Sequence, residues 1–278
     1  MLSNTDLCTI FLKELRDGEQ NQLMDIKKMT IKEIEILVKQ KDLTTETITA
    51  LTNDTRSAVQ RLFRKWEREQ NEMQRVDALY KYEYQFQKQG IEYIAGVDEA
   101  GRGPLAGPVF VAAVILPIGL YIPKINDSKK ISAKVRESIY ELLLQEAIAI
   151  ERSIVDEKTI DRINIYQATI NGMYNAILSL KPKPQQVLID AVPLERLDIP
   201  SLSLIKGDAI SASIAAASIV AKVERDHMMD EYDKMYPEYG FAQHKGYGTA
   251  QHVAALKKYG PCPIHRRSFE PVKSLVKC

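Results

Sequence analysis

The chain has 278 residues, 45% of them hydrophobic, which is enough for one large domain, or one domain plus a smaller one, with a sizeable core. The formal net charge of +1 at pH 7 neither favours nor excludes nucleic acid as a partner. From Gly240 to Cys278, however, seven basic residues stand against one acid, Glu270. This local excess predicts either a surface that binds a polyanion or an ordinary solvated surface.

Cysteine usage and the N-terminal sequence predict the compartment. The three cysteines, Cys8, Cys262 and Cys278, are widely spaced and match neither a disulfide framework nor a CxxC metal site, which favours reduced thiols. Met1 to Leu15 lacks the basic start of a signal peptide and carries Asp6 inside its apolar part. No apolar run approaches the roughly 20 residues of a transmembrane helix. We therefore expect a cytoplasmic protein without a membrane partner.

The first 90 residues predict a small all-helical domain or arm. They contain no proline, and their glycines are Gly18 and Gly90. The apolar spacing predicts helices over Thr30–Val38 and Ser57–Tyr80, with another starting at Thr44 or Thr45. The Ser57–Tyr80 helix is basic, which fits contact with a phosphate backbone or a solubilising face. The aromatic residues at its end are expected to pack: Tyr80, Tyr82, Tyr84 and Phe86.

Strands and helices alternate from Glu92 onward, which predicts an α/β domain. Apolar runs predict five strands, over 91–97, 109–116, 148–155, 187–189 and 203–205. Helical spacing predicts three helices, around 135–143, over 165–180 and over 210–228. The last of these is rich in alanine and apolar on nearly all sides, so it should be buried close to its neighbours.

Three of the predicted strands end in acids: Asp98 with Glu99, Asp190, and Asp208. Ligands of open α/β sheets bind beyond the strand ends, so these acids can converge although they are distant in sequence. Four carboxylates cannot remain ionised and buried together without cations. Such a cluster is suited to two divalent metals acting on a phosphodiester. The alternatives are that Asp190 caps the turn toward Pro193 and that Asp208 is the N-cap of the alanine-rich helix.

A turn rich in glycine follows the first acid pair. Gly101 and Gly103 allow close approach of backbone N–H groups to a ligand, and Arg102 is suited to holding a phosphate. The alternative is an ordinary exit from a strand. Neighbouring strand residues point to opposite faces. For Asp98 and Glu99 to share a metal centre, we therefore expect the chain to turn at Glu99, or Glu99 to act through its carbonyl or a water.

The segment Gly96-Val97-Asp98-Glu99-Ala100-Gly101-Arg102-Gly103-Pro104 resembles the signature of the ribonuclease HII family. Later segments resemble further motifs of that family in order and spacing: Leu188-Ile189-Asp190, Lys206-Gly207-Asp208, Ile214–Ile219 and His244-Lys245-Gly246-Tyr247-Gly248-Thr249. The resemblance covers about residues 91–270. Residues 1–90 resemble the helical N-terminal extension of some bacterial members.

The resemblance implies an RNase H-like mixed sheet flanked by helices over 91–278, with a basic helical C-terminal part, preceded by the helical extension 1–90. It implies a monomeric endonuclease that hydrolyses RNA joined to DNA, in hybrids or 5′ of one ribonucleotide in duplex DNA. The implied catalytic and metal-binding residues, for two Mg²⁺ or Mn²⁺ ions, are Asp98, Glu99, Asp190 and Asp208. The implied substrate-binding residues are Gly101, Arg102 and Gly103, which read the ribose 2′-hydroxyl, Lys206, and Tyr247, which stacks at the junction between ribonucleotide and deoxyribonucleotide.

Two rival functions remain open. The related ribonuclease HIII, which needs a run of ribonucleotides, has threonine where Arg102 stands and usually a sheet-containing N-terminal domain. The other rival is a nucleic-acid-binding protein that has lost the chemistry, although four intact acids argue against it. Further expected phosphate contacts are Lys129, Lys130, Arg266 and Arg267. Lys222 and Asp226 match a helical segment of the family or form an i,i+4 ion pair.

Overall fold

The computed structural model describes residues 26–40 and 43–276. The chain forms two compact units, one ending at Asn71 and the other beginning at Glu72. The boundary expected after residue 90 stays a prediction. Met1 to Leu15, Cys8 and Cys278 lie outside the described residues. Among the described helices, none has both the length and the apolar character that crossing a membrane requires.

The first unit is helical, as the apolar spacing predicted. A 3-10 turn over Ile26–Lys28 precedes α1 (Ile31–Val38), α2 (Thr45–Thr52) and α3 (Ser57–Ala78), the last of which continues into the second unit. Thr30 and Thr44 are the N-caps of α1 and α2, and Thr30 forms a capping box with Glu33. The buried side chains that form the core of this unit are Ile26, Ile34, Leu37, Leu51, Val59 and Phe63.

The second unit is built on a five-stranded mixed sheet, which confirms the predicted fold class. Its strands are β1 (Ile94–Ala100), β2 (Val109–Ile115), β3 (Ala149–Val155), β4 (Gln186–Asp190) and β5 (Ser201–Leu204). Their order across the sheet is β3-β2-β1-β4-β5. Strands β1, β2 and β3 pair antiparallel, whereas β1, β4 and β5 pair parallel. The central strand β1 therefore has its two acids beside the end of β4.

Helices cover both faces of this sheet. They are α4 (Lys81–Gln87), α5 (Ala133–Glu146), α6 (Glu157–Ile163), α7 (Ile165–Ser179), α8 (Ala212–Met235), α9 (Phe241–His244), α10 (Ala250–Tyr259) and α11 (Val272–Val276). All seven residues of β2 are buried, because alternate side chains face opposite layers. Phe110, Ala112 and Val114 share a core cluster with α8. Val111, Ala113 and Ile115 share another with α7.

The close approach of α8 to β1 depends on Gly96. A Cβ atom added at Gly96 would lie 2.0 Å from the main-chain carbon of Ser213, so any side chain there would collide with the helix backbone. The alanines of α8 are buried in the same layer, as its composition predicted. Helix α8 therefore packs directly on the strand that carries Asp98.

Residues 72–87 pack within the second unit. Val76, Leu79 and Tyr80 belong to the core cluster that α8 forms with β2, and the Tyr80 hydroxyl donates to the Leu120 carbonyl at 2.9 Å. The buried Glu83 carboxylate accepts hydrogen bonds from the Ser211 hydroxyl at 2.7 Å and the Ser213 N–H at 3.1 Å. The segment that was expected to pack through its aromatic residues forms α4 and binds the N-terminus of α8.

We expect Tyr80→Ala to lower the free energy of unfolding by about 3–5 kcal/mol, the usual cost of deleting a buried aromatic side chain. Tyr80 is 1% exposed, and its hydroxyl bond would be lost as well. The control is Tyr166→Ala, because Tyr166 is 44% exposed. Urea unfolding monitored by circular dichroism measures both. Equal losses in the two variants would contradict the assignment of residues 72–87 to this core.

Candidate active site

The acids lie at the ends of three neighbouring strands. The parallel register between β1 and β4 pairs Val97 with Ile189, and Asp98 and Asp190 directly follow these two residues. Asp190 in turn pairs with Leu204, near the end of β5, and the chain then turns through Lys206 into a 3-10 helix over Gly207–Ala209 that contains Asp208. The sheet thus brings together acids that are up to 110 positions apart in the chain.

Asp98 is buried at the core end of the site. Its Oδ1 accepts the Glu99 N–H at 2.7 Å. Burial raises the pKa of Asp98 well above its ordinary value, and the charges of Glu99 and Asp190 raise it further. The Ser218 hydroxyl on α8 opposes that pKa shift. The helix that packs on Gly96 therefore also contacts this carboxylate.

Of the two alternatives for Glu99, the turn of the strand at that residue is wrong, and a role through its carbonyl or a water stays a prediction. Strand β1 continues through Ala100, and Glu99 still pairs with Val111 of β2. The Glu99 carboxylate lies 3.3 Å from the Arg102 guanidinium. Burial raises the pKa of Glu99, the charge of Arg102 opposes this shift, and Asp190 adds to it. Glu99 is therefore held by the glycine-rich turn beside it.

Asp190 and Asp208 are joined through the turn between them. The Gly207 N–H donates to Asp190 Oδ1 at 2.7 Å, so Asp190 caps this turn and not the one toward Pro193. The N-cap of α8 is Ser211, which excludes Asp208 from that role. Burial raises the pKa of Asp208, and the charges of Asp127 and Asp190 raise it further.

A cavity of about 390 Å³ opens beside the acids. It is lined by Glu99, Ala100, Gly101, Arg102, Gly103, Ser128, Lys129, Ser218, Lys222 and Tyr247. The glycine-rich turn and Tyr247 thus meet at one opening. Lys206 is exposed on the turn before Asp208 and does not line this cavity, so its substrate contact stays a prediction.

The loop carrying Tyr247 is fixed against the glycine-rich turn. The Leu105 N–H donates to the Gly246 carbonyl at 2.8 Å, and the Tyr247 ring lies 3.7 Å from where a Cβ of Gly103 would be. Buried His252 donates from Nδ1 to the Tyr247 carbonyl at 3.0 Å, since a carbonyl only accepts. The Tyr247 side chain remains 44% exposed, at the cavity and not in the core.

The structure corrects or completes three sequence interpretations. Arg266 is fully buried, so its expected phosphate contact is wrong. Lys222 forms the i,i+4 pair with Asp226 at 2.5 Å and also lines the cavity. Asp127, which interacts with Asp208, was missed. Its position next to Lys129 and Lys130 in a loop was the available signal, but nothing in the sequence places that loop beside β5.

The acids have the chemistry of a site for divalent cations. Within residues 26–40 and 43–276, no three His, Cys, Asp or Glu side chains are grouped so that they could hold a metal ion in their present positions. The charge of Asp190 nevertheless raises the pKa of Asp98, Glu99 and Asp208 alike, so the four carboxylates share one electrostatic field. Mg²⁺ and Mn²⁺ bind carboxylate oxygens, and a bound cation would offset the repulsion between these carboxylates.

Comparison with known proteins decides the family. A family model for ribonuclease HII matches residues 95–272, and a model for the ribonuclease HII N-terminal domain matches residues 30–89. The ribonuclease HII of Bacillus cytotoxicus is 49% identical over 255 residues, which cover 90% of this chain and 98% of that protein. The chain belongs to the ribonuclease HII family.

Solved structures agree with this family assignment. The ribonuclease H2 of Pyrococcus horikoshii OT3 superposes with a TM-score of 0.58 at 27% identity, covering 66% of this chain and 97% of its own. Bst-RNase HIII in complex with Mn²⁺ has a TM-score of 0.50 at 17% identity, covering 66% of this chain and 69% of its own, and shares the fold. As a ribonuclease HII family member, the protein is an endoribonuclease of the RNase H type, with the family's N-terminal domain ahead of an RNase H-like fold.

We expect Asp98→Asn to stabilise the folded protein in EDTA at pH 7.5. Raised carboxyl pKa values mean that the folded state binds more protons than the unfolded state, so stability falls as pH rises above about 4. Removing this buried charge should raise the free energy of unfolding by about 1.4 kcal/mol for each unit of pKa shift removed.

Urea unfolding at pH 7.5 and pH 4 measures the effect. The gain should shrink at pH 4, where Asp98 is protonated in the folded state and about half protonated in the unfolded state. Asp198→Asn, outside the site, should show no such gain. A variant less stable than the parent at pH 7.5 would contradict the electrostatic account of the site.

Proposed function

We propose that the protein is a metal-dependent endonuclease that cuts the RNA strand of RNA–DNA substrates, notably on the 5′ side of a single ribonucleotide in duplex DNA. It acts in the cytoplasm as a monomer. The observation that carries the proposal is that acids from three strand ends come together beside a cavity that is lined by Glu99, the Gly101–Gly103 turn and Tyr247. Membership of the ribonuclease HII family supports the same reaction class.

The residues that would hold Mg²⁺ or Mn²⁺ are Asp98, Asp190 and Asp208, with Glu99 in support. When bound, the metal ions would supply activation of a water and stabilisation of charge on the attacking and leaving oxygens. Asp98 is at the centre, because both Glu99 and Asp190 act on its carboxylate. The Mn²⁺ in the structure of Bst-RNase HIII, which has the same fold, fits this assignment.

The chain's other residues would select and orient the substrate. A 2′-hydroxyl is what distinguishes one ribonucleotide within DNA, and main-chain groups of the Gly101–Gly103 turn lie close enough to the cavity to read it. Arg102, 43% exposed beside Glu99, is suited to a phosphate of the cut strand. The ring of Tyr247 would stack on the next sugar and exclude a 2′-hydroxyl there, which favours a deoxynucleotide.

The two rival functions make different predictions. A preference of the HIII type would require several consecutive ribonucleotides, whereas Arg102 and the match to the ribonuclease HII N-terminal domain favour the HII preference. A binding protein without chemistry would not need Asp190 together with the three acids around it. Two substrates, a DNA duplex with one ribonucleotide and an RNA/DNA hybrid, therefore distinguish all three functions.

We expect the parent protein to cleave a DNA duplex with one ribonucleotide and an RNA/DNA hybrid, with 3′-hydroxyl and 5′-phosphate products and no cleavage in EDTA. Asp98→Asn and Asp208→Asn should abolish cleavage while affinity for the single-ribonucleotide duplex stays within about threefold, because the turn and Tyr247 are unchanged. Asp198→Asn is the control with full activity. Denaturing gels measure cleavage and fluorescence anisotropy measures affinity. Full activity in either site variant, or cleavage of the hybrid alone, would refute the proposed function.

We expect Tyr247→Ala to reduce the preference for a ribonucleotide followed by a deoxynucleotide by roughly tenfold, or about 1.4 kcal/mol, because the ring that would exclude a 2′-hydroxyl from the next sugar is lost. Tyr247→Phe should keep the preference because the ring remains. Tyr259→Ala is the control, since Tyr259 is similarly exposed but does not line the cavity. The ratio of kcat/KM for a single ribonucleotide and for continuous RNA measures the change. An unaltered ratio in Tyr247→Ala would argue against stacking.

A further inference from the structure

Two buried arginines lie beneath the glycine-rich turn. Arg225 on α8 is 1% exposed and Arg266, after α10, is 0% exposed. Arginine is rarely buried so completely unless it is paired, because a desolvated guanidinium is costly. Burial lowers the pKa of Arg266 to about 9, and the charge of Arg225 adds to that shift. Within the described residues, neither arginine forms a salt bridge with a carboxylate.

Arg266 is instead bonded to main-chain carbonyls of the turn. Its Nη2 donates to the Gly101 carbonyl at 2.6 Å, and its Nη1 donates to the Arg102 carbonyl at 2.9 Å. Its Nε and Nη2 both donate to the Gly107 carbonyl, at 2.9 and 2.7 Å. One planar guanidinium therefore fixes the carbonyls at both ends of the segment from 101 to 107.

Arg225 holds the other side of the same segment. Its Nε donates to the Pro108 carbonyl and its Nη2 to the Ala106 carbonyl, both at 3.1 Å. Its Nη1 donates to the Lys245 carbonyl at 2.9 Å. Since Lys245 is two residues before Tyr247, Arg225 connects the glycine-rich turn to the loop that carries the tyrosine.

The inward carbonyls determine where the neighbouring N–H groups point. A peptide bond is planar and trans, so the carbonyl of one residue and the N–H of the next point in opposite directions. With the carbonyls of Gly101 and Arg102 turned inward to Arg266, the N–H groups of Arg102 and Gly103 point outward. Neither N–H donates a hydrogen bond to another described residue, and both residues line the cavity.

We infer that Arg266 is a positioning residue for ribonucleotide recognition, which aims the N–H groups of Arg102 and Gly103 at the ribose 2′-oxygen. Arg225 sets the separation between that turn and the Tyr247 ring. A hydroxyl oxygen accepts hydrogen bonds, so two fixed donors distinguish a ribose from a deoxyribose. The inference rests on the proposed function and adds the group that orients the turn.

The test compares Arg266→Lys with the parent in EDTA, with two duplexes that differ by one ribonucleotide. Lysine keeps the charge but lacks the planar fork that binds three carbonyls at once. The affinity ratio of the ribonucleotide duplex to the all-DNA duplex should fall by about three- to tenfold, the equivalent of one weakened hydrogen bond. Affinity for the all-DNA duplex should stay within about twofold. The control is Arg75→Lys, because Arg75 also donates to a carbonyl, that of Ile125, but away from the turn.

A parent ratio near one would refute the proposed function and this inference together. A clear parent preference that Arg266→Lys retains would refute the positioning role alone, as would an equal loss of affinity for both duplexes. NMR of the ¹⁵N-labelled parent gives a second measurement that does not depend on the variant folding. The amide protons of Arg102 and Gly103 should shift downfield with the ribonucleotide duplex and not with the all-DNA duplex, and equal shifts would overturn the inference.

Discussion

The desolvation of Asp98 is the constraint around which the site is built. This carboxylate lies at the end of a strand whose preceding residues are buried, and three other acids share its surroundings. The chain compensates only in part. The Glu99 N–H binds Asp98 and the Ser218 hydroxyl lowers its pKa, the Gly207 N–H binds Asp190, and Arg102 lies beside Glu99. The pKa values of Asp98, Glu99 and Asp208 stay raised, and under the proposed function bound divalent cations would relieve this repulsion.

One helix brings the sheet, the acids and the turn into a fixed arrangement. Its backbone packs on Gly96, and three of its side chains then face the site at helical spacing. Ser218 lowers the pKa of Asp98 and lines the cavity, Lys222 also lines the cavity, and Arg225 binds carbonyls beyond the glycine-rich turn. Because positions 218, 222 and 225 are four and three residues apart, a single rigid helix sets the distances between these contacts.

Periodic patterns in the sequence were sufficient to predict the strands and long helices of the fold. An element that buries one face carries apolar residues at a regular spacing, and this spacing is visible in the local sequence. The acids at the strand ends were found for the same reason, since each directly follows an apolar run. The phosphate contact expected for Arg266 was wrong because the sequence shows the charge of this residue but not its burial. The burial depends on hydrogen bonds to carbonyls more than 150 positions away. Asp127 was missed because loop 124–132 has no repeat that predicts where it lies. The path of β1 through Glu99 depends on pairing with β2, which no local pattern reveals.

The boundary of the N-terminal family match and the boundary between the two compact units fall at different residues. The match to the ribonuclease HII N-terminal domain extends to residue 89, yet the compact unit that contains the acids begins at Glu72. Within that unit, the carboxylate of Glu83 binds Ser211 and Ser213 at the N-terminus of α8, where the helix dipole favours negative charge. Two turns later the same helix presents Ser218 to Asp98. Residues 72–87 therefore help to support the candidate active site, because they fix the N-terminal end of the helix that contacts it.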